Sequence, residues 1–162
     1  MNLIVEDIGK VVQAMRAQGS DVPYYMYGHK LEINQRLIAK GKASIPKYPL
    51  VVLILDTAEQ HEGSVIRYNL NIGILEYTKA NYNAEERYEN VFKPTLIPLY
   101  EKFLQCLPAG KFFWEEQEPV HTKIDRPFYG VTELNRNARS IFSDPLDCVE
   151  IQNLKISRTI KC

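Results

Sequence analysis

Hydrophobic residues recur along the chain with two different periods, and the switches between them mark its elements. Leu3, Ile4, Ile8, Val11, Val12 and Met15 fall at helical spacing, with Asp7 early and Arg16 late as the helix dipole favours. That pattern predicts a first helix ending near Gly19. From Ser20 to Lys47 the chain is polar and tyrosine-rich, and only Leu31, Gln35, Leu37 and Ile38 carry a helical pattern, which Gly41 ends. This stretch reads as a long connection holding one short helix. Leu50-Val-Val-Leu-Ile-Leu55 is a continuous apolar run after Pro49, short and rich in β-branched residues, as a strand buried on both faces requires. Between Ile66 and Tyr77 the pattern alternates: Ile66, Tyr68, Leu70, Ile72 and Ile74 share one face, and Arg67, Asn69 and Asn71 the other. The polar stretch Asp56 to Ser64 is too short for a parallel crossover, so the two strands are expected to form an antiparallel hairpin.

Helical spacing returns at Asn83, with Glu86 three residues later in the arrangement of a capping box. Tyr88, Val91, Phe92, Leu96, Leu99, Phe103 and Leu107 form one stripe that stays in phase across Pro94 and Pro98. Both prolines fall beside Arg87, Asn90, Glu101 and Gln105, on the face expected to meet solvent, where water can take the carbonyls they leave free. One bent helix of about 24 residues, roughly 36 Å long, is expected, kinked at Pro94 with Thr95 capping the renewed turn. Further on, Lys111 to Trp114 and Val120 to Tyr129 read as short strands around the acidic turn Glu115-Glu-Gln-Glu118, and Asn135 to Phe142 as a helical turn. Cys148 to Lys161 alternates as a closing strand whose phase slips near Gln152-Asn153, which predicts a bulge. No fixed-period repeat and no low-complexity linker divides the chain. Residues 1–162 thus read as one α+β domain: an antiparallel sheet of four to five strands with a central hairpin, covered by an N-terminal helix and a long proline-kinked helix.

Composition narrows the class. A chain of 162 residues with 45% apolar and 25% charged residues has the usage of an ordinary folded domain. Its 20 basic and 20 acidic residues balance, which argues against a main task of gripping nucleic acid through its phosphates. Cys106, Cys148 and Cys162 are odd in number and lack CxxC spacing, so neither a disulfide framework nor a zinc site is expected, and a reducing cytoplasm fits. Acidic residues within the first seven positions, and the lack of a long apolar run, predict neither a signal peptide nor a membrane anchor.

Reactive chemistry is sparse. His29, His61 and His121 stand in separate contexts with no second histidine or cysteine at metal-ligand spacing, and they read as surface histidines. Gly41-Lys42 and Gly110-Lys111 lack the rest of a phosphate-binding loop, and no GxSxG, HExxH or GxGxxG occurs. Glu115, Glu116 and Glu118 read as a solvated turn. No enzyme, metal or cofactor is expected. The most site-like stretch is Tyr24-Tyr-Met-Tyr-Gly-His29, whose aromatics and imidazole fit either a small pocket or tyrosines buried under a loop or at a subunit contact. Beside it Lys30, Arg36, Lys40, Lys42 and Lys47 stand against Glu32 alone, a basic stretch suited to DNA phosphates, to an acidic partner subunit, or to solubility. Candidate contact residues are therefore Tyr24, Tyr25, Tyr27, His29, Lys30, Arg36, Lys40 and Lys42.

Three stretches in order, Tyr48-Pro-Leu-Val-Val-Leu-Ile-Leu-Asp56, the strand ending Ile74-Leu-Glu-Tyr77, and Ala84-Glu-Glu-Arg87 opening the helix through Tyr100, resemble the tail terminator (tail completion) and neck proteins of long-tailed bacteriophages. The likeness covers roughly residues 1 to 107 by element order, and a last strand such as Val149 to Ile160 fits it. The tyrosine-rich connection has no counterpart in that pattern. What the resemblance implies is an α+β subunit of the virion, assembled in the host cytoplasm into a ring, typically a hexamer. Its partners would be other copies of itself, the tail tube protein and the head-side connector, with transient contact to DNA in the lumen. Alternatives are a head-tail connector or head-completion protein, and a small-ligand-binding α+β domain using the Tyr24 to His29 cluster.

Overall fold

The computed structural model describes residues 2–18, 23–40, 47–132 and 139–160. The first apolar stripe forms helix α1, Asn2–Ala17, with Ile4, Ile8, Val11 and Met15 fully buried. Asp7 does not serve the helix dipole: it is fully buried, paired with Lys10 at 2.8 Å and with Arg158 of the last strand. Strands β2 (Leu50–Glu62) and β3 (Val65–Tyr77) form the expected antiparallel hairpin. Its turn is only Gly63-Ser64, because Glu62 pairs with Val65 and Gly63 takes φ 59°, a left-handed conformation that glycine adopts without strain. The polar residues from Asp56 onward, expected as a loop, instead continue β2. Their polarity reflects exposure, since residues 58–62 of that strand all lie open to solvent.

The five-stranded sheet runs in the order β1-β2-β3-β7-β4, with β1 at Tyr24–Gly28, β4 at Thr122–Arg126 and β7 at Leu146–Thr159. Between β3 and β7 the pairing slips from Leu70↔Leu154 to Ile72↔Ile151, leaving Gln152 and Asn153 opposite Asn71: the expected bulge. Asn153 takes φ 53°, and its N–H donates to Asn71 Oδ1 at 3.1 Å. Three expectations need correction. Residues 24–39 are not a plain connection, because they form β1, parallel to β2, followed by helix α2, Lys30–Ala39; every other pairing in the sheet is antiparallel. Lys111 to Trp114 makes a single bridge, Phe113 to Ser157, in place of a strand. Of the helical turn expected at Asn135 to Phe142, only the part from Arg139 lies within the described residues, and there Arg139–Ser140 (β6) pairs with Val131–Thr132 (β5).

Both faces of the sheet carry a core. Val51, Leu53, Ile72, Ile74 and Ile151 pack with α1 and the long helix. Leu50, Val52, Leu75 and Cys148 face the other way, against Met26, Ile33 and Leu37 of β1 and α2 and against Tyr129, Phe142 and Leu146. The run that opens β2 is thus buried on both faces, as its unbroken apolar sequence requires.

The long helix begins with the capping box: Asn83 Oδ1 accepts the Glu86 N–H at 2.9 Å, and Glu86 Oε2 accepts the Asn83 N–H at 2.8 Å. Asn83→Ala should lower unfolding stability by about 1 kcal/mol in a urea titration, whereas an unshifted midpoint would show that the cap contributes nothing. After α3 (Ala84–Arg87) the chain is π-helical over Tyr88–Leu96, then α-helical over α4, Ile97–Cys106, and closes in a 3-10 turn at Leu107–Gly110. Thr95 caps nothing: the Ile97 N–H reaches back to the Phe92 carbonyl, and Leu96 in the cap position makes no side-chain bond. The wider turn relieves the clash between a proline ring and the carbonyl four residues earlier. Pro94 and Pro98 do face solvent, and Pro98 lies in the first turn of α4, where its missing N–H costs nothing. Widening also shifts the phase. An extra residue per turn rotates what precedes it by about 100°, so Tyr88 turns outward, 49% exposed, while Arg87 turns into the protein, 1% exposed.

Candidate assembly surface

The tyrosine-rich stretch forms β1 because aromatic residues suit a pleated strand, and it ends where Gly28 takes φ 146° to turn into α2. A Cβ on Gly28 would stand 2.7 Å from Glu32 Oε2, the movable end of an exposed side chain, so it is the backbone conformation that calls for glycine. Alternation sends Tyr24 and Met26 to the face that packs with α2, and Tyr25 to the face that packs with α1. Tyr25 is held inward: its hydroxyl donates to the Val5 carbonyl at 2.9 Å and its ring lies 6.2 Å from that of Tyr27. Tyr27 stays 38% exposed.

Cations gather on the free side of β1. Arg16, at the end of α1, stands 5.6 Å from the Tyr24 ring centre, and Lys40, just past α2, stands 6.0 Å from the same ring. Arg36 lies 5.4 Å from the Tyr27 ring, donates to the Tyr27 carbonyl at 3.1 Å and pairs with Glu32 at 2.7 Å. Of the other candidates, His29 is exposed and caps α2, its Nδ1 accepting the Leu31 N–H at 3.4 Å, while Lys30 points to the Tyr129 ring at 5.2 Å. Lys42 lies outside the described residues. The structure therefore brings Tyr24, Tyr27, Arg36 and Lys40 together along one sheet edge, adds Arg16, and leaves Tyr25, His29 and Lys30 in other contacts. Arg16 lies on a different element, which no local pattern links to this stretch, and β1 itself was missed, the stretch having been read as a connection.

At the opposite edge stands β4. The register carries straight across the sheet: Tyr24, Leu50, Leu75, Cys148 and Arg126 make one row, and Tyr27, Leu53, Ile72, Ile151 and Lys123 another. Both edge strands are five residues long and sit on the same rows. The chain leading into β4 also follows β7, through Phe113 with Ser157 and the Val120 carbonyl with the Lys155 N–H at 2.9 Å. Between those contacts Glu115, Glu116 and Glu118 are exposed, with Glu115 reaching Arg67 at 3.6 Å. A cleft of about 520 Å³ opens at this side of the sheet, lined by Glu59, Arg67, Trp114, Glu115 and Lys155 among others.

The remaining reactive groups are dispersed. His121 bridges the Tyr100 hydroxyl at 2.7 Å and the Pro119 carbonyl at 2.6 Å, and His61 is exposed beside Glu59 at 3.3 Å. Cys106 and Cys148 are buried free thiols, and burial pushes both up from the ordinary thiol range, which disfavours the reactive thiolate. Among the described residues no group of three His, Cys, Asp or Glu is placed to hold a metal, and no helix is long and apolar enough to cross a membrane. Burial also raises the phenols of Tyr25, Tyr48 and Tyr129, that of Tyr48 further through its bond to Asp144 at 2.6 Å. The unfolded chain ionises these groups first, so above about pH 9–10 it binds fewer protons than the native state and stability falls as pH rises. Urea midpoints should be insensitive to these groups near neutrality and decline on the alkaline side; a flat profile to the onset of bulk tyrosine ionisation and beyond would contradict the burial of these phenols. No protein-family model matches this sequence, and no curated protein matches it either.

Proposed function

We propose that the chain is a structural subunit of a phage virion, a ring-forming tail terminator that caps the tail tube and meets the head-side connector. The observation that carries this reading is a sheet open at both edges, where β1 and β4 each pair with a single strand among the described residues. Two unlike open edges on one subunit favour heterologous head-to-tail contacts, which close into a ring when the rotation between neighbours permits. Apolar area for such a contact lies beside β1, where Leu31 and Ile38 of α2 are each 54% exposed and Tyr27 is partly so. The order of first helix, hairpin and capped, bent helix, which resembles that of tail terminators, adds support. On this reading the protein resides at the tail–head junction, with the tube protein, the connector and its own copies as partners. Tail tubes of the encoding phage, incubated with the purified protein and imaged by negative stain, should carry added density at one end and stop elongating. Tubes that elongate as before, with bare ends, would overturn the reading.

A further inference from the structure

We infer that helix α2 guards the β1 edge, its charged stripe Glu32, Arg36 and Lys40 keeping two copies of this chain from pairing β1 to β1. The inference concerns the lone chain and goes beyond the ring reading, which joins unlike edges. Backbone geometry defines what is guarded. The Tyr24 N–H donates to the Pro49 carbonyl at 2.9 Å in a parallel ladder, so residues 24, 26 and 28 direct both main-chain groups to β2, and Tyr25 and Tyr27 direct theirs outward. Every copy carries this same row, and two such rows related by a two-fold axis can satisfy one another as an antiparallel pair.

The stripe runs the length of the strand. α2 turns back after Gly28, and its residues 32, 36 and 40 recur at i, i+4 and i+8, spanning about 12 Å of helix against about 13 Å from Tyr24 to Gly28. Glu32 lies against Gly28, where a Cβ would stand 2.7 Å from its Oε2. Arg36 donates to the outward Tyr27 carbonyl at 3.1 Å, pairs with Glu32 at 2.7 Å and lies 5.4 Å from the Tyr27 ring. Lys40 reaches the Tyr24 ring at 6.0 Å, and Arg16 comes to that ring from α1, on the other face of the sheet, at 5.6 Å. The guard acts in two ways. Arg36 occupies an acceptor that an added strand needs, and the exposed cations Arg16, Arg36 and Lys40 outnumber Glu32. A two-fold axis doubles that excess within one contact, so like charge opposes the dimer. These side chains are exposed and can let go without unfolding α2, which Ile33 and Leu37 anchor in the core.

Removing the charge tests the guard, at concentrations where the parent is monomeric. Arg36→Gln with Lys40→Gln should dimerise roughly 10- to 100-fold more tightly than the parent in sedimentation and native mass spectrometry. Hydrogen exchange at the Tyr25 and Tyr27 amides should slow as that dimer forms, which marks β1 as the contact. Arg36→Lys with Lys40→Arg keeps the charge and should associate as weakly as the parent. Raising salt should strengthen β1 pairing of the parent itself, the opposite of a contact held by attraction. Failure here leaves the ring reading untouched, since that reading does not pair β1 with β1. A Gln variant that keeps its circular dichroism signal yet dimerises no more tightly than the parent overturns the inference, as does tighter dimerisation with both amides exchanging as before. Should that variant not fold, the salt series decides: protection of the two amides that stays flat or falls as salt rises overturns the guard.

Discussion

Arg87→Ala is expected to lower unfolding stability by about 3–5 kcal/mol, because it leaves a buried carboxylate without its cation. Arg87 Nη1 meets Asp147 Oδ1 at 2.5 Å with side chains 2% and 0% exposed. The same guanidinium donates through Nε to the Tyr82 carbonyl at 3.0 Å and through Nη2 to the Lys79 carbonyl at 3.3 Å, and lies 3.5 Å from the Phe128 ring centre. Asp147 Oδ1 also accepts the Phe128 N–H at 3.1 Å, where Phe128 takes the left-handed φ of 56°. One side chain therefore joins the start of the long helix, the turn before it, the closing strand and the turn after β4. Desolvating both charges offsets much of their attraction, so Arg87→Met combined with Asp147→Leu should recover most of the loss. Urea unfolding of the two single variants and the double variant forms the cycle. A loss under about 1 kcal/mol for Arg87→Ala would show that the pair is solvated.

Phe103→Ala should cost a similar amount, roughly 3–5 kcal/mol, for a different reason. Phe103 is fully buried on α4 in the core that α1 and the long helix form over the sheet, near Leu99, Leu96 and Leu107 of the same stripe. Truncation removes apolar area from the core and leaves a cavity that neighbours anchored on two helices and a sheet fill poorly. A shift within about half a kcal/mol would mean that the stripe is not core.

Where periodicity alone decides an element, the sequence was a good guide. The alternation from Ile66 to Ile74, the apolar run of β2, the capping box at Asn83 and the slip at Gln152-Asn153 all appear in the structure because each is local. Misreadings arose where polarity had two causes. Asp56 to Glu62 looked like a loop, yet these residues continue a strand whose second half is largely open to solvent, and exposure explains their character. Arg87 looked solvent-facing on a wheel of 3.6 residues per turn. The π-helical segment beside it breaks that period, and the partner that makes its burial tolerable, Asp147, lies 60 residues away, beyond any local pattern. Within the candidate surface, the tyrosines and basic residues could be named from sequence, but not their arrangement. That Tyr25 turns under α1 while Arg16 joins Arg36 and Lys40 along one edge follows only from β1 pairing in parallel with β2.

Self-assembly is tested most directly by the mass of the purified chain in solution, by native mass spectrometry with negative-stain imaging of the same sample. Closed rings of about six copies are the expected result. A species that remains monomeric across micromolar concentrations, and gains no order on tail tubes, would contradict it.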